Sequence, residues 1–119
     1  MAWKFTGDRA VYLQIAERIE KAVLSGVYLP GEQIPSVRQL ALEAAVNPNT
    51  VQHAFTELEN QGIILSQGTQ GRFVTEDVET IEACRKEMAQ RYVQSFLRDI
   101  EQLGISQEQA ITMIKEEKP

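Results

Sequence analysis

The side chains of this 119-residue chain best suited to chemistry cluster between positions 47 and 56. Asn47, Asn49, Thr50, Gln52, His53 and Thr56 supply amides, hydroxyls and the chain's single imidazole. Among them, Val51, Ala54, Phe55 and Leu58 recur at helical spacing, so the segment reads as a helix with a polar front and an apolar back. Asn47 and Pro48 form a start signal, because Asn caps well and Pro is favoured at the first helical position. Asn and Gln side chains can bond bidentately to adenine, and Thr can meet a base edge or the thymine methyl. The helix N-terminus itself favours a phosphate. The chemistry on offer is recognition by hydrogen bonding. A merely solvated helix face would carry the same residues, so the neighbouring elements must decide between the two.

Other chemistry finds little support. His53 has no Cys or His companions at ligand spacing, which argues against a metal site. There is no paired nucleophile and base and no Gly-rich phosphate loop before a helix, so neither an enzyme nor a cofactor is expected. The single cysteine, Cys84, allows no intrachain disulfide and fits a reducing compartment. The start Met1-Ala2-Trp3-Lys4 does not resemble a secretory leader, and no apolar run approaches the ~20 residues that cross a bilayer. A cytoplasmic protein without membrane contact is expected.

The net charge of −5 works against nucleic-acid binding, but it is unevenly spread. Residues 1–75 hold six Lys/Arg and seven Asp/Glu, a net of −1, whereas residues 76–119 hold six and ten, a net of −4. The N-terminal part is therefore close to neutral. Local clustering decides whether it can meet a polyanion, and a modest salt dependence is expected.

The elements that must position the polar helix are legible on both sides of it. Val11, Ile15, Ile19 and Val23 form an apolar stripe, with Asp8 as the expected N-cap and Ser25-Gly26 as the stop. Leu29-Pro30-Gly31-Glu32 reads as a turn. Ser36 and Gln39 have capping-box spacing and open a short helix with Val37, Leu40, Ala41 and Ala44 inside. Only about four residues separate it from the helix at Asn47, the length of a helix-turn-helix connection. Gly62 closes the latter, and residues 63–66 and 72–75 then read as two strands around the loop Gln67–Gly71. A hairpin in this position is a wing. From Val78 to Leu103, Ile81, Cys84, Met88, Tyr92, Phe96, Ile100 and Leu103 line one side of a long helix. After Gly104, Ser106 and Gln109 cap a last short helix carrying Ala110, Ile111 and Ile114, with a polar, frayed tail from Lys115.

The stretch Leu29-Pro30-Gly31-Glu32-Gln33-Ile34-Pro35-Ser36-Val37-Arg38-Gln39-Leu40-Ala41 resembles the signature of the GntR family of bacterial transcription regulators. Val46-Asn47-Pro48-Asn49-Thr50-Val51, then Ala54, Leu58, Glu59 and Gly62, continue the likeness, and Gly68, Gly71, Arg72, Phe73 and Val74 complete it. The short remainder, residues 76–119, is similar to the YtrA subfamily, whose helical tail serves dimerisation. The resemblance implies an operator-binding regulator, commonly of genes for membrane transport systems. Arg38 matches the family's DNA-contacting arginine and Thr50 a threonine of its motif. The commoner motif has arginine where this chain has Pro48 and again where it has Gln52.

The combined expectation is a mainly α fold with a small β-hairpin: a winged helix-turn-helix over residues 1–76 and a two-helix dimerisation tail over 77–119. Candidate contacts to double-stranded DNA are Ser36, Arg38, Asn47, Asn49, Thr50, Gln52 and His53, with Gln67, Thr69, Gln70, Gly71 and Arg72 of the wing. Candidate homodimer contacts are Cys84, Met88, Tyr92, Phe96, Ile100, Leu103, Ile111 and Ile114, with Cys84 read as buried packing. Any small-molecule effector is unidentified, and a pocket for one, near Trp3, Tyr12 or Tyr92, would be small and apolar.

Overall fold

The computed structural model describes residues 2–119 and divides the chain into two compact units, Met1–Ala83 and Cys84–Pro119. The first unit builds its core on three helices: α1 (Val11–Leu24), α2 (Val37–Ala44) and α3 (Pro48–Asn60). Ile15, Ile19 and Val23 of α1, Leu40 and Ala44 of α2, and Val51, Ala54, Phe55 and Leu58 of α3 are all buried. Strands β1 (Ile64–Ser66) and β2 (Arg72–Val74) pair antiparallel, with Ile64 opposite Val74 and Ser66 opposite Arg72. Ile63, Ile64 and Val74 close the core from that side. The architecture is the expected winged helix-turn-helix followed by helices.

Two details differ from the sequence reading, both through contacts that are distant in sequence. First, α1 begins at Val11, with Ala10 at the cap position and no side-chain cap. Asp8 instead accepts a hydrogen bond from the Thr6 hydroxyl. The Gln14 side chain ties the preceding arm down, donating to the carbonyls of Thr6 (2.9 Å) and Arg9 (3.0 Å) and accepting from the Thr6 amide at 2.9 Å. Second, the segment after the Leu29–Glu32 turn lies along β2. Val74 donates its amide to the Glu32 carbonyl at 2.8 Å, and Ile34 donates to the Arg72 carbonyl at 3.0 Å. Gln33 thereby pairs with Phe73, and the hairpin acquires a third, short edge.

The connection from α2 to α3 is held by local chemistry. Ser36 caps α2 through a complete capping box with Gln39. Ala45 ends α2 in the left-handed region, at φ 60° and ψ 49°, which lets the Val46 amide reach the Ala41 carbonyl at 3.0 Å. Asn47 then caps α3, accepting from the Asn49 amide at 2.8 Å, with Pro48 in the first turn.

Helix α4 (Val78–Glu101) opens on Asp77, whose carboxylate accepts from the Glu79 amide at 3.1 Å and the Thr80 hydroxyl at 2.8 Å. The Thr80 hydroxyl, with the backbone amides, holds this carboxyl below the ordinary carboxylate range. The division between the units falls inside α4. In the second unit a turn at Gly104 leads to α5 (Gln107–Glu116), capped by a complete box between Ser106 and Gln109. Lys115 and Glu116 are still helical, so the irregular tail is shorter than expected. Cys84, expected to be buried, is half-buried.

An alanine in the left-handed region carries a steric cost that glycine does not. Ala45→Gly should raise stability by about 0.5 kcal/mol, the relief being partly offset by a freer unfolded chain. Ala45→Val should lower stability by more than that. Urea unfolding checks both, as a shift of the midpoint with an unchanged slope.

Candidate nucleic-acid interface

Helix α3 is amphipathic about a sharp divide. Val51, Ala54, Phe55 and Leu58 are fully buried, while Asn47, Asn49, Gln52, His53 and Thr56 are exposed. At about 3.6 residues per turn, Asn49 and Thr56 lie along the centre of the polar front, Gln52 along one margin and His53 along the other. Thr50 is half-buried on the His53 side. Two of these groups also serve the helix itself: Asn47 caps it through Oδ1, and the Thr56 hydroxyl donates to the Gln52 carbonyl at 3.1 Å. The Asn47 amide nitrogen remains available to a ligand.

Arg38 sits in the first turn of α2, exposed and without an ion pair among the described residues. It is the cation of this unit best placed to reach an anion beside α3, because α2 packs on α3. Ser36, just before it, uses its hydroxyl to cap α2 by accepting from the Gln39 amide at 3.1 Å. Arg72 is placed differently. Its guanidinium lies over the Phe55 ring, 4.8 Å from the centroid, and its Nε is 3.4 Å from Glu59. Arg72 therefore roofs the buried ring at the back of α3.

At the wing tip, Gln67, Thr69 and Gln70 are exposed, and Gly68–Gln70 form a 3-10 turn within the expected loop. Gln33, a residue the sequence did not single out, donates from Nε2 to the Gln70 carbonyl at 2.7 Å. Gly71 adopts φ 116° and ψ −156°, a region essentially reserved for glycine. A β-carbon there would stand 2.7 Å from Gln33 Nε2. No sequence signal short of the fold itself ties residue 33 to the loop at 67–71.

The remaining positive charge of the unit is elsewhere. Lys4, Arg9, Arg18 and Lys21 border an open cleft of about 350 Å³ with Phe5, Gln14 and Glu17. Residues 14, 17, 18 and 21 project opposite to the buried Ile15–Ile19–Val23 stripe, away from the side that packs on α3. Glu17 pairs with Arg9 at 2.8 Å and with Lys21 at 3.3 Å. The Arg9 hydrogen bond holds the Glu17 carboxyl below its ordinary value. Arg18 lies over the Trp3 ring at 4.1 Å. The polar front of α3 is thus rich in neutral hydrogen-bonding groups and poor in charge.

One contact on that front was missed by sequence reasoning. The Tyr12 ring of α1 stacks on the His53 imidazole, with centroids 3.5 Å apart and planes 8° from parallel. The sequence marks Tyr12 only as a neighbour of a candidate effector pocket, not as a partner of His53. Among the described residues, no group of three or more His, Cys, Asp or Glu side chains is arranged to hold a metal ion.

In the C-terminal unit the candidate pairing residues are graded. Met88 is 5% exposed and Ile100 is half-buried, but Tyr92, Phe96, Leu103, Ile111 and Ile114 are exposed, Leu103 to 73%. Val93 and Met113, not singled out from the sequence, are exposed beside them. Leu97, Ile100 and Ile105 line a shallow cleft between α4 and α5 with Glu101, Ser106 and Gln107.

Comparison with known proteins bears on this arrangement. Residues 11–74 match the family described as bacterial regulatory proteins, gntR family. The chain is 32% identical to YhcF of Bacillus subtilis (strain 168), an uncharacterized HTH-type transcriptional regulator, covering 94% of this chain and 93% of YhcF. It is 33% identical to YtrA of the same organism, an HTH-type transcriptional repressor, covering 89% of this chain and 82% of YtrA. A GntR family transcriptional regulator from Listeria monocytogenes superposes with a TM-score of 0.88 at 33% identity, over 96% of this chain and 100% of that one.

The wing geometry makes a direct prediction. Gly71→Ala forces a side chain into a glycine-only conformation and displaces Gln33 from the Gln70 carbonyl. It should cost about 1–3 kcal/mol and lower the thermal midpoint, while amide exchange quickens at residues 67–71 ahead of the helical core.

Proposed function

Because the chain belongs to the GntR family of bacterial regulatory proteins, and so is a DNA-binding transcriptional regulator, we propose that it is a cytoplasmic repressor that grips a pseudo-palindromic operator as a homodimer. The observation that carries this reading is the divided surface of α3, with Phe55 and Leu58 fully buried behind an exposed row of Asn49, Gln52, His53 and Thr56. Such a helix can enter the major groove by its N-terminal turns and present amides and hydroxyls to base edges. Arg38 contacts a phosphate at the groove edge and sets the register. Gln67, Thr69 and Gln70 of the wing reach the flanking backbone.

The homodimer is supported by the C-terminal unit, residues 84–119, which leaves Tyr92, Phe96, Leu103, Ile111 and Ile114 exposed in the single chain. Apolar groups gathered in this way mark an interaction surface, and two-fold pairing is the commonest way to close one. The repressor role rests on the likeness to YtrA, which is named a repressor. Control of an operon for a membrane transport system is the target that the YtrA-like resemblance favours. No helix of the described residues is long and apolar enough to cross a membrane.

Selection of binding duplexes from a random pool, followed by gel shift, tests the whole reading. The selected sites should contain two half-sites about one helical turn, or a multiple of it, apart. Arg38→Ala should weaken binding about tenfold or more and flatten the salt dependence by about one unit of log–log slope for each phosphate it no longer neutralises. Phe96→Glu should convert a dimer to a monomer in sedimentation, with the first unit still folded and the two-half-site complex abolished. A stable monomer bound to an asymmetric site would overturn the proposal.

A further inference from the structure

We propose that Tyr12 is a positioning residue for recognition: its ring fixes the plane of the His53 imidazole, so that His53 meets the duplex through a ring edge held in one orientation. The inference rests on the regulator reading above and adds to it a residue from outside the helix-turn-helix. It starts from the near-parallel stack, 3.5 Å between centroids and 8° between planes. Tyr12 stands on α1, which buries its stripe against α3. Its ring is therefore carried by the rigid core, while His53 belongs to the exposed front.

The stack removes one face of the imidazole from use. A ring with one face covered cannot insert between bases or lie against a sugar by that face. Its nitrogens, which lie in the ring plane, stay open. Among the described residues neither His53 nitrogen has a hydrogen-bond partner, and the residue is exposed. The Tyr12 hydroxyl likewise has no protein partner among the described residues, and no side-chain polar atom of theirs is buried unsatisfied. The pair therefore presents hydrogen-bonding capacity outward and uses none of it internally.

Orientation matters here because His53 is otherwise free to turn. An exposed imidazole on a helix samples several rotamers and must lose that freedom on binding. Stacking restricts it beforehand, because a ring lying face to face with its neighbour at 3.5 Å cannot tilt out of the shared plane without a clash. The groups surrounding His53 on α3 are Asn49, Thr50, Thr56 and Glu57, and none of them is bonded to it. Among the described residues, Tyr12 carries the ring stacked on it. The imidazole edge then addresses a hydrogen-bonding atom of the duplex, either on a base in the groove or on the backbone phosphate beside it. His53 lies on the α1-side margin of the front, where both are within the same approach.

The test uses the full chain and a duplex selected from the random pool. In proton NMR, ring-current displacement of the His53 ring protons should be present in the wild type and in Tyr12→Phe, and absent in Tyr12→Leu. This reads the stack without DNA. Tyr12→Leu should weaken the selected duplex about fivefold, the worth of one oriented hydrogen bond, matching His53→Ala. The double variant Tyr12→Leu/His53→Ala should be no weaker than either single one, because both remove the same interaction. Tyr12→Phe should restore wild-type affinity.

Duplexes with single base changes separate the two addresses. A base contact flattens discrimination at one position of each half-site in Tyr12→Leu, and a phosphate contact weakens all sequences alike. Circular dichroism melts confirm that the variants are folded at the assay temperature; if Tyr12→Leu is not, Tyr12→Met takes its place. Additive effects in the double variant, a Tyr12→Phe as weak as Tyr12→Leu, or unchanged binding by Tyr12→Leu would each overturn the inference while leaving the regulator reading intact. A wild type that selects no duplex would overturn both.

Discussion

The structure depends on burying one side of a single helix. Val51, Ala54, Phe55 and Leu58 of α3 pack without exposure, and every other element of the first unit is arranged to make that possible. Helix α1 supplies the Ile15–Ile19–Val23 stripe that α3 lies on. The Leu58 carbonyl accepts the Ile63 amide at 3.1 Å, which turns the chain out of α3 directly into β1. Arg72, on the return strand, lays its guanidinium over Phe55 and engages Glu59. Burial worth roughly 1.5–3 kcal/mol per large apolar side chain makes the back of α3 the least negotiable surface in the unit. The polar front is its necessary counterpart, and it is held still because the back cannot move.

That rigidity explains how a charge-poor surface can serve recognition. Of the six Lys and Arg in residues 1–75, Arg72 is turned onto Phe55, and Lys4, Arg9, Arg18 and Lys21 border the cleft beside the outer side of α1. That leaves Arg38 as the cation committed neither to Phe55 nor to that cleft. Long-range attraction to a polyanion is correspondingly weak, so on the proposed reading discrimination on this front would depend on short-range hydrogen bonds. Such bonds reward fixed geometry more than charge does. The caps at Ser36 and Asn47, the left-handed Ala45 and the ring stack under His53 all act by fixing geometry.

What could be read from the sequence follows the range of the interactions involved. The caps at Ser36, Asn47 and Ser106 were legible because a cap is completed within three residues, and all three are formed. The apolar periodicity of α1, α3 and α4 was legible for the same reason. The start of α1 was misplaced to Asp8, because Asp8 takes the Thr6 hydroxyl in an arm that Gln14 ties down from within the helix, and α1 begins at Val11 without a side-chain cap. The pairing of Gln33 with Phe73 and its bond to Gln70 span about forty residues and leave no local mark. Arg72 and Tyr12 show the same limit within the site. The identity of each was plain, but its orientation was set by Phe55 and Glu59 in one case and by His53 in the other.

The C-terminal unit obeys the opposite constraint. Residues 84–119 form the remainder of α4 and all of α5, and two helices cannot enclose a core between them. Ala110 is buried, at 1% exposure, but Tyr92, Val93, Phe96, Leu103, Ile111, Met113 and Ile114 remain in contact with water. So much apolar surface on so short a segment is unfavourable for an isolated chain. Pairing with a second copy would remove it. On that reading the two units divide the work by the fate of their apolar residues. The first buries them internally and so holds a polar front rigid; the second leaves them exposed, and pairing through them would join two such fronts into one binding surface.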